Sequence, residues 1–184
     1  MPDIPNFPEA VIGVNAFEEW KKENKIQFIS SERLIYSMEH DYMGIMDLEA
    51  VINGKYCNAN DFKSSNGLYN SVLAQTAAYE HADREERKCK KTESRWAIRF
   101  SKYDEKEYMR REERKREIKK AIARIKGKEY RDYGIPEYKV FEARQLDSSP
   151  KDLARDFQAF LYMKGLFDWD AETDFFWADK KLNK

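Results

Sequence analysis

Residues 30–54 read SSERLIYSMEHDYMGIMDLEAVING, and the class of the fold turns on them. Leu34, Ile35, Met38 and Tyr42 fall at i, i+1, i+4 and i+8, a spacing that suits one helical face. Ser30-Ser31-Glu32 opens the stretch and Gly44 interrupts it. Asp47-Leu48-Glu49-Ala50-Val51-Ile52 continues it helically, and Asn53-Gly54 is a stop signal. The expectation is helix, broken once, up to residue 52.

Outward from there, the N-terminal side is mixed. Ile26-Gln27-Phe28-Ile29 suits either a short strand or a connector. Asn15-Ala16-Phe17-Glu18 has capping-box spacing and predicts a helix over 15–25 that buries Phe17 and Trp20. Prolines 2, 5 and 8 mark residues 1–14 as an irregular arm.

On the C-terminal side, Asn58, Asn60, Asp61, Ser64, Ser65, Asn66 and Gly67 mark 55–67 as a loop. A helix is predicted over 68–91 and a longer one over 104–131, stopped by Gly134-Ile135-Pro136. Between them Trp96, Ile98 and Phe100 alternate, as in a strand, although a helical linker also fits. Residues 138–144 suit a partner strand for 95–100. Ser149-Pro150-Lys151-Asp152 starts a last helix, which Gly165 ends. The reading is a mainly α chain of five to six helices in one domain over 1–184. It has a long charged helix and room for a small two-stranded β ribbon. Residues 68–131 form a basic helical segment, and 149–184 a helix with an acidic–aromatic tail.

The formal net charge is zero, but it is segregated. Residues 84–131 hold 20 Lys/Arg and 10 Asp/Glu, while 1–83 hold 6 and 13. A field of that kind attracts phosphate, an acidic protein surface, or the chain's own acidic ends. Charged residues make up 37% of the chain, well above the average domain, and imply long solvated helical faces. The N-terminus has no basic start and no apolar core of a signal peptide, and no apolar run is long enough to span a bilayer. The expected location is the cytoplasm, with no membrane partner. Cys57 and Cys89 allow one bridge but no disulfide framework, and reduced thiols are expected.

The densest candidate site is the cationic run Arg110, Arg111, Arg114, Lys115, Lys119 and Lys120, with Tyr108 beside it. Such a helix tracks a phosphate backbone, and Tyr103, Tyr108 and Tyr130 could stack on bases. Glu107–Arg111 and Glu112–Arg116 have i,i+4 spacing and would lace the helix. Ile118, Ala121, Ile122 and Ile125 form an apolar stripe, so the second half is expected to dock and the first half to project. Asp168, Asp170 and Asp174, interleaved with Trp169 and Trp177, form an acidic–aromatic partner surface. Asp168 to Asp179 fit a calcium-loop template poorly, because Thr173 stands at the turn glycine and Asp179 at the bidentate glutamate.

No cofactor, metal or catalytic residue is assigned. The only two histidines lie in Glu39-His40-Asp41 and Glu80-His81-Ala82-Asp83, from which one metal site can be imagined. Glu137-Tyr138-Lys139 resembles the carboxylate-x-lysine half of a metal-dependent nuclease site, which needs an aspartate on a preceding strand. The composition is that of small accessory proteins of phages and mobile elements. The leading expectation is a non-enzymatic binding protein whose partner is nucleic acid or a nucleic-acid-bound host protein. An inhibitor of a host nucleic-acid enzyme, of the anti-CRISPR or anti-restriction kind, and a small metal-dependent nuclease are the alternatives. No sustained heptad implies an oligomeric state.

Overall fold

The computed structural model describes residues 8–65, 67–88, 92–101 and 103–172. Among them are four helices, α1 (Pro8–Glu23), α2 (Ser71–Arg87), α3 (Glu105–Ile125) and α4 (Pro150–Glu172). Five strands, β1 (Gln27–Ser37), β2 (Tyr42–Ile52), β3 (Lys55–Ser64), β4 (Arg95–Phe100) and β5 (Phe141–Leu146), form one mixed sheet in the order β1-β2-β3-β4-β5. This overturns the mainly α expectation: the fold is a sheet-containing α/β fold.

The correction lies in residues 27–64. The stretch opened on is not a broken helix but two antiparallel strands, with Leu34 opposite Ile45 and Tyr36 opposite Met43. Ile35 is 1% exposed and Leu34 59% exposed, so neighbours face opposite ways, as a strand requires. Asn53-Gly54 stops no helix. Both residues have positive φ, 52° and 77°, and they turn β2 tightly into β3. That is the backbone a two-residue hairpin needs to match strand twist. The expected loop over 55–67 is β3 for most of its length.

The β3–β4 neighbours run parallel. The Glu93 N–H donates to the Tyr56 carbonyl, and the Trp96 N–H to the Asn60 side chain, so the two chains advance together. The connection between them is α2, as a parallel pair requires. The expected ribbon of 95–100 with 138–144 corresponds to β4 and β5, as part of the larger sheet.

Other boundaries shift for local reasons. The arm expected over 1–14 gives way at Pro8 to α1, proline being well suited to a first helical turn. Residues 68–131 are not one helical segment, since β4 lies between α2 and α3. The long helix ends at Ile125, because Gly127 takes φ +60°. The Lys128 N–H then reaches the Ala123 carbonyl and the Gly127 N–H the Arg124 carbonyl, a Schellman closure. Gly165 lies inside α4 and does not end it.

The chain divides into two compact units. One comprises Met1–Lys25, Phe62–Leu68 and Ile98–Arg144, and its core is aromatic: Phe17 packs against Trp20, Phe62, Phe100 and Phe141. The other comprises Ile26–Asp61, Tyr69–Ala97 and Gln145–Lys184. There α2 packs on β1 and β2, and Ile35, Met46, Ala59, Tyr79 and Ala82 form the core. Beside that core is a buried ionic network. Asp83 accepts from Asn58 and Arg87 and pairs with Arg33, while Glu49 accepts from Ser30, Tyr56 and Arg87. Cys57 is free and buried, and Cys89 lies outside the described residues.

Candidate functional site

The cationic residues singled out in the sequence stand on α3. Asp104 caps the helix by accepting from the Glu107 N–H at 2.6 Å. The only buried residue of α3 is Tyr108, whose hydroxyl donates to the Pro136 carbonyl at 3.2 Å and whose ring meets Tyr138. Tyr108 is therefore a core residue, not a platform for bases. It lies in the half expected to project. The stripe expected to dock is open instead, with Ile118 50% and Ile125 84% exposed.

Several cations are engaged within their own surface. Arg110 and Arg111 both donate to Glu107, and Arg111 lies 4.1 Å over the Tyr103 ring. Lys115 pairs with Glu112, Lys120 with Glu117, and Arg116 with Asp132 rather than with Glu112. Arg114 and Lys119 make no ion pair among the described residues. Glu107, Arg110, Arg111, Arg114, Lys115 and Ile118 line an open groove of about 290 Å³.

The acidic–aromatic tail is described only at its start. Asp168 pairs with Lys164, and Trp169 is exposed. The Asp170 side chain, and Asp174 and Trp177 altogether, lie outside the described residues.

Glu137-Tyr138-Lys139 is not on a strand: it precedes β5 in irregular backbone, so the nuclease pattern does not stand there. The same pattern is met by Asp61-Phe62-Lys63 on β3, within the stretch that had been expected to be loop. β2, which holds Asp47, pairs antiparallel with β3, with Leu48 opposite Asn60.

Asp61 is 1% exposed. The charges of both carboxylates act on Tyr79, on α2. Burial raises its phenol to about 12; the Gln75 hydrogen bond opposes that, and the charges of Asp61 and Asp47 add to it. Gln75 donates to the Tyr79 hydroxyl at 2.5 Å. Gly44 lets the ring lie this close, because a Cβ there would stand 3.0 Å from it. Asp47, Asp61, Lys63, Gln75 and Tyr79 were not singled out in the sequence. The signal that could have found them is the pair of a carboxylate-x-lysine on one strand and an aspartate on the strand before it. Carboxylate oxygens on adjoining strands are hard donors, suited to Mg²⁺ or Mn²⁺. Arg87 pairs with both Glu49 and Asp83.

The two histidine segments also meet. Glu39, His40 and His81 converge, whereas Asp41 accepts from Tyr36, Glu80 pairs with Arg84 and Asp83 with Arg87. No protein-family model matches the chain, and no curated protein matches its sequence. No described helix is long and apolar enough to cross a membrane.

Proposed function

We propose that this chain is a divalent-metal-dependent nuclease centred on Asp47 and Asp61. The observation that carries the reading is the antiparallel pairing of β2, which holds Asp47, with β3, which holds Asp61, with Leu48 opposite Asn60. Asp47 and Asp61 would hold a Mg²⁺-class ion, which would supply Lewis acidity toward the phosphodiester and a more acidic water. The low exposure of Asp61 limits bulk water there and strengthens each of these interactions.

The test is cleavage of labelled single- and double-stranded DNA and RNA with Mg²⁺ or Mn²⁺. Chelator abolishes cleavage, and so do Asp47→Asn and Asp61→Asn. Undiminished cleavage by Asp61→Asn sinks the proposal.

A second reading is a binding protein that makes phosphate contacts through Arg110, Arg111, Arg114, Lys115, Lys119 and Lys120. The exposure of Arg114 and Lys119 without ion-pair partners among the described residues favours it. It is compatible with the first reading, since a nuclease also needs phosphate contacts away from its reacting atoms.

A further inference from the structure

We infer that Glu39, His40 and His81 form a binding site for a zinc-like divalent ion, independent of the carboxylate centre proposed above. Both histidines of the chain take part. His40 lies in the turn between β1 and β2 and His81 in the middle of α2, so only folding brings them together. One ligand atom from each of the three residues lies within 4.8 Å of the others. Glu39 Oε1 is 3.7 Å from His40 Nε2, and the imidazole centroids are 5.1 Å apart. Zinc bonds of about 2.0–2.2 Å put neighbouring ligands of a tetrahedral site roughly 3.5 Å apart. The histidine–glutamate pair is near that spacing, and the exposed Glu39 side chain turns to close the rest.

The surroundings hold the rings in place. His81 stacks on Phe157 at 4.0 Å and 8°, and His40 sets its edge to the same ring. Nδ1 of His81 is buried with no hydrogen-bond partner among the described residues. The Glu85 carboxylate stands 4.0 Å from it. Glu85 also accepts from the Ser37 hydroxyl and from the Met38 and Glu39 N–H groups. One carboxylate therefore both fixes the turn that carries Glu39 and His40 and stands behind His81, the usual second layer of a histidine metal site. Two imidazoles and one carboxylate suit zinc rather than magnesium, which prefers oxygen throughout. The cluster is partly exposed, which leaves positions for water.

The whole chain, stripped with chelator, is titrated with Zn²⁺ by calorimetry and with Co²⁺ by its visible d–d bands. One site with nitrogen and oxygen donors is expected. His40→Gln, and His81→Phe, which keeps an aromatic ring against Phe157, each weaken it by more than about 100-fold, and Glu85→Gln by about 10–100-fold. Asp61→Asn leaves it intact, which separates it from the proposed nuclease centre. Circular dichroism of the metal-free variants checks their fold; His40 lies on a surface turn, so its variant remains a fair test should His81→Phe misfold. Zn²⁺ affinity and Co²⁺ bands unchanged by His40→Gln, or no binding by the native chain, overturn the inference.

Discussion

Glu49 shows how a single residue can be misread without its neighbours. In sequence it is one of a run of helical-looking residues; in the fold it is a buried carboxylate. Burial alone would raise its pKa, but hydrogen bonds from Arg87, Tyr56 and Ser30 outweigh that and hold it below the ordinary value. A carboxylate whose pKa is lower in the folded state stabilises the fold fully above its unfolded value near 4.5, and that contribution is lost as pH falls through the folded value. The denaturant midpoint of the native chain therefore falls more steeply below pH 4.5 than that of Glu49→Gln, in which this titration is absent. Parallel pH profiles would show that Glu49 carries no such linkage. Asp61 is the other instructive residue. It is one of several polar residues that suggested a loop, yet on β3 it is buried.

At the scale of elements, α4 was legible because it carries its own boundary chemistry. The N-terminal turn of α4 shows it: the Ser149 hydroxyl accepts from the Asp152 N–H, and its carbonyl from the Leu153 N–H. Strands β1 and β2 were not legible. A half-buried strand announces itself by alternation, but here the open face is apolar too, with Leu34, Tyr36, Met43 and Ile45 exposed. With both faces apolar, the period of two vanishes and a helical spacing can be drawn through the same residues. The basic helix makes its own prediction. Replacing Arg110, Arg111 and Arg114 by Glu weakens nucleic-acid binding at low salt. It also flattens the dependence of log affinity on log salt by about 0.9 for each lost duplex phosphate contact. Filter binding over a salt series measures both, and an unchanged slope removes α3 from the interface.

At the scale of the molecule, Arg95 shows what sequence patterning conceals. Alternation set it facing away from Trp96, as for a solvated strand face, but it is fully buried. Its guanidinium donates to the Leu73 carbonyl, the Thr76 hydroxyl, the Asp147 carbonyl and Asp156, so β4, α2 and α4 meet on one side chain. Asp156→Ala leaves that cation buried without its counter-ion and costs about 3–5 kcal/mol by urea denaturation, whereas Arg95→Met with Asp156→Leu costs less. A loss within experimental error for Asp156→Ala would show that the pair is not structural. By itself, the sequence determined the helices with strong local signals and the segregation of positive charge over residues 84–131, within which α3 lies, and it offered a strand as one of two readings of 95–100. Local interactions suffice for these, because a cap, a helix stop or a run of cations acts within a few residues. Only the tertiary structure decided that residues 27–64 hold three strands, that the strand of Asp47 pairs with the strand of Asp61, and that His40 meets His81. Those facts rest on pairing between segments distant in sequence, and no local spacing encodes which strand a carboxylate will face.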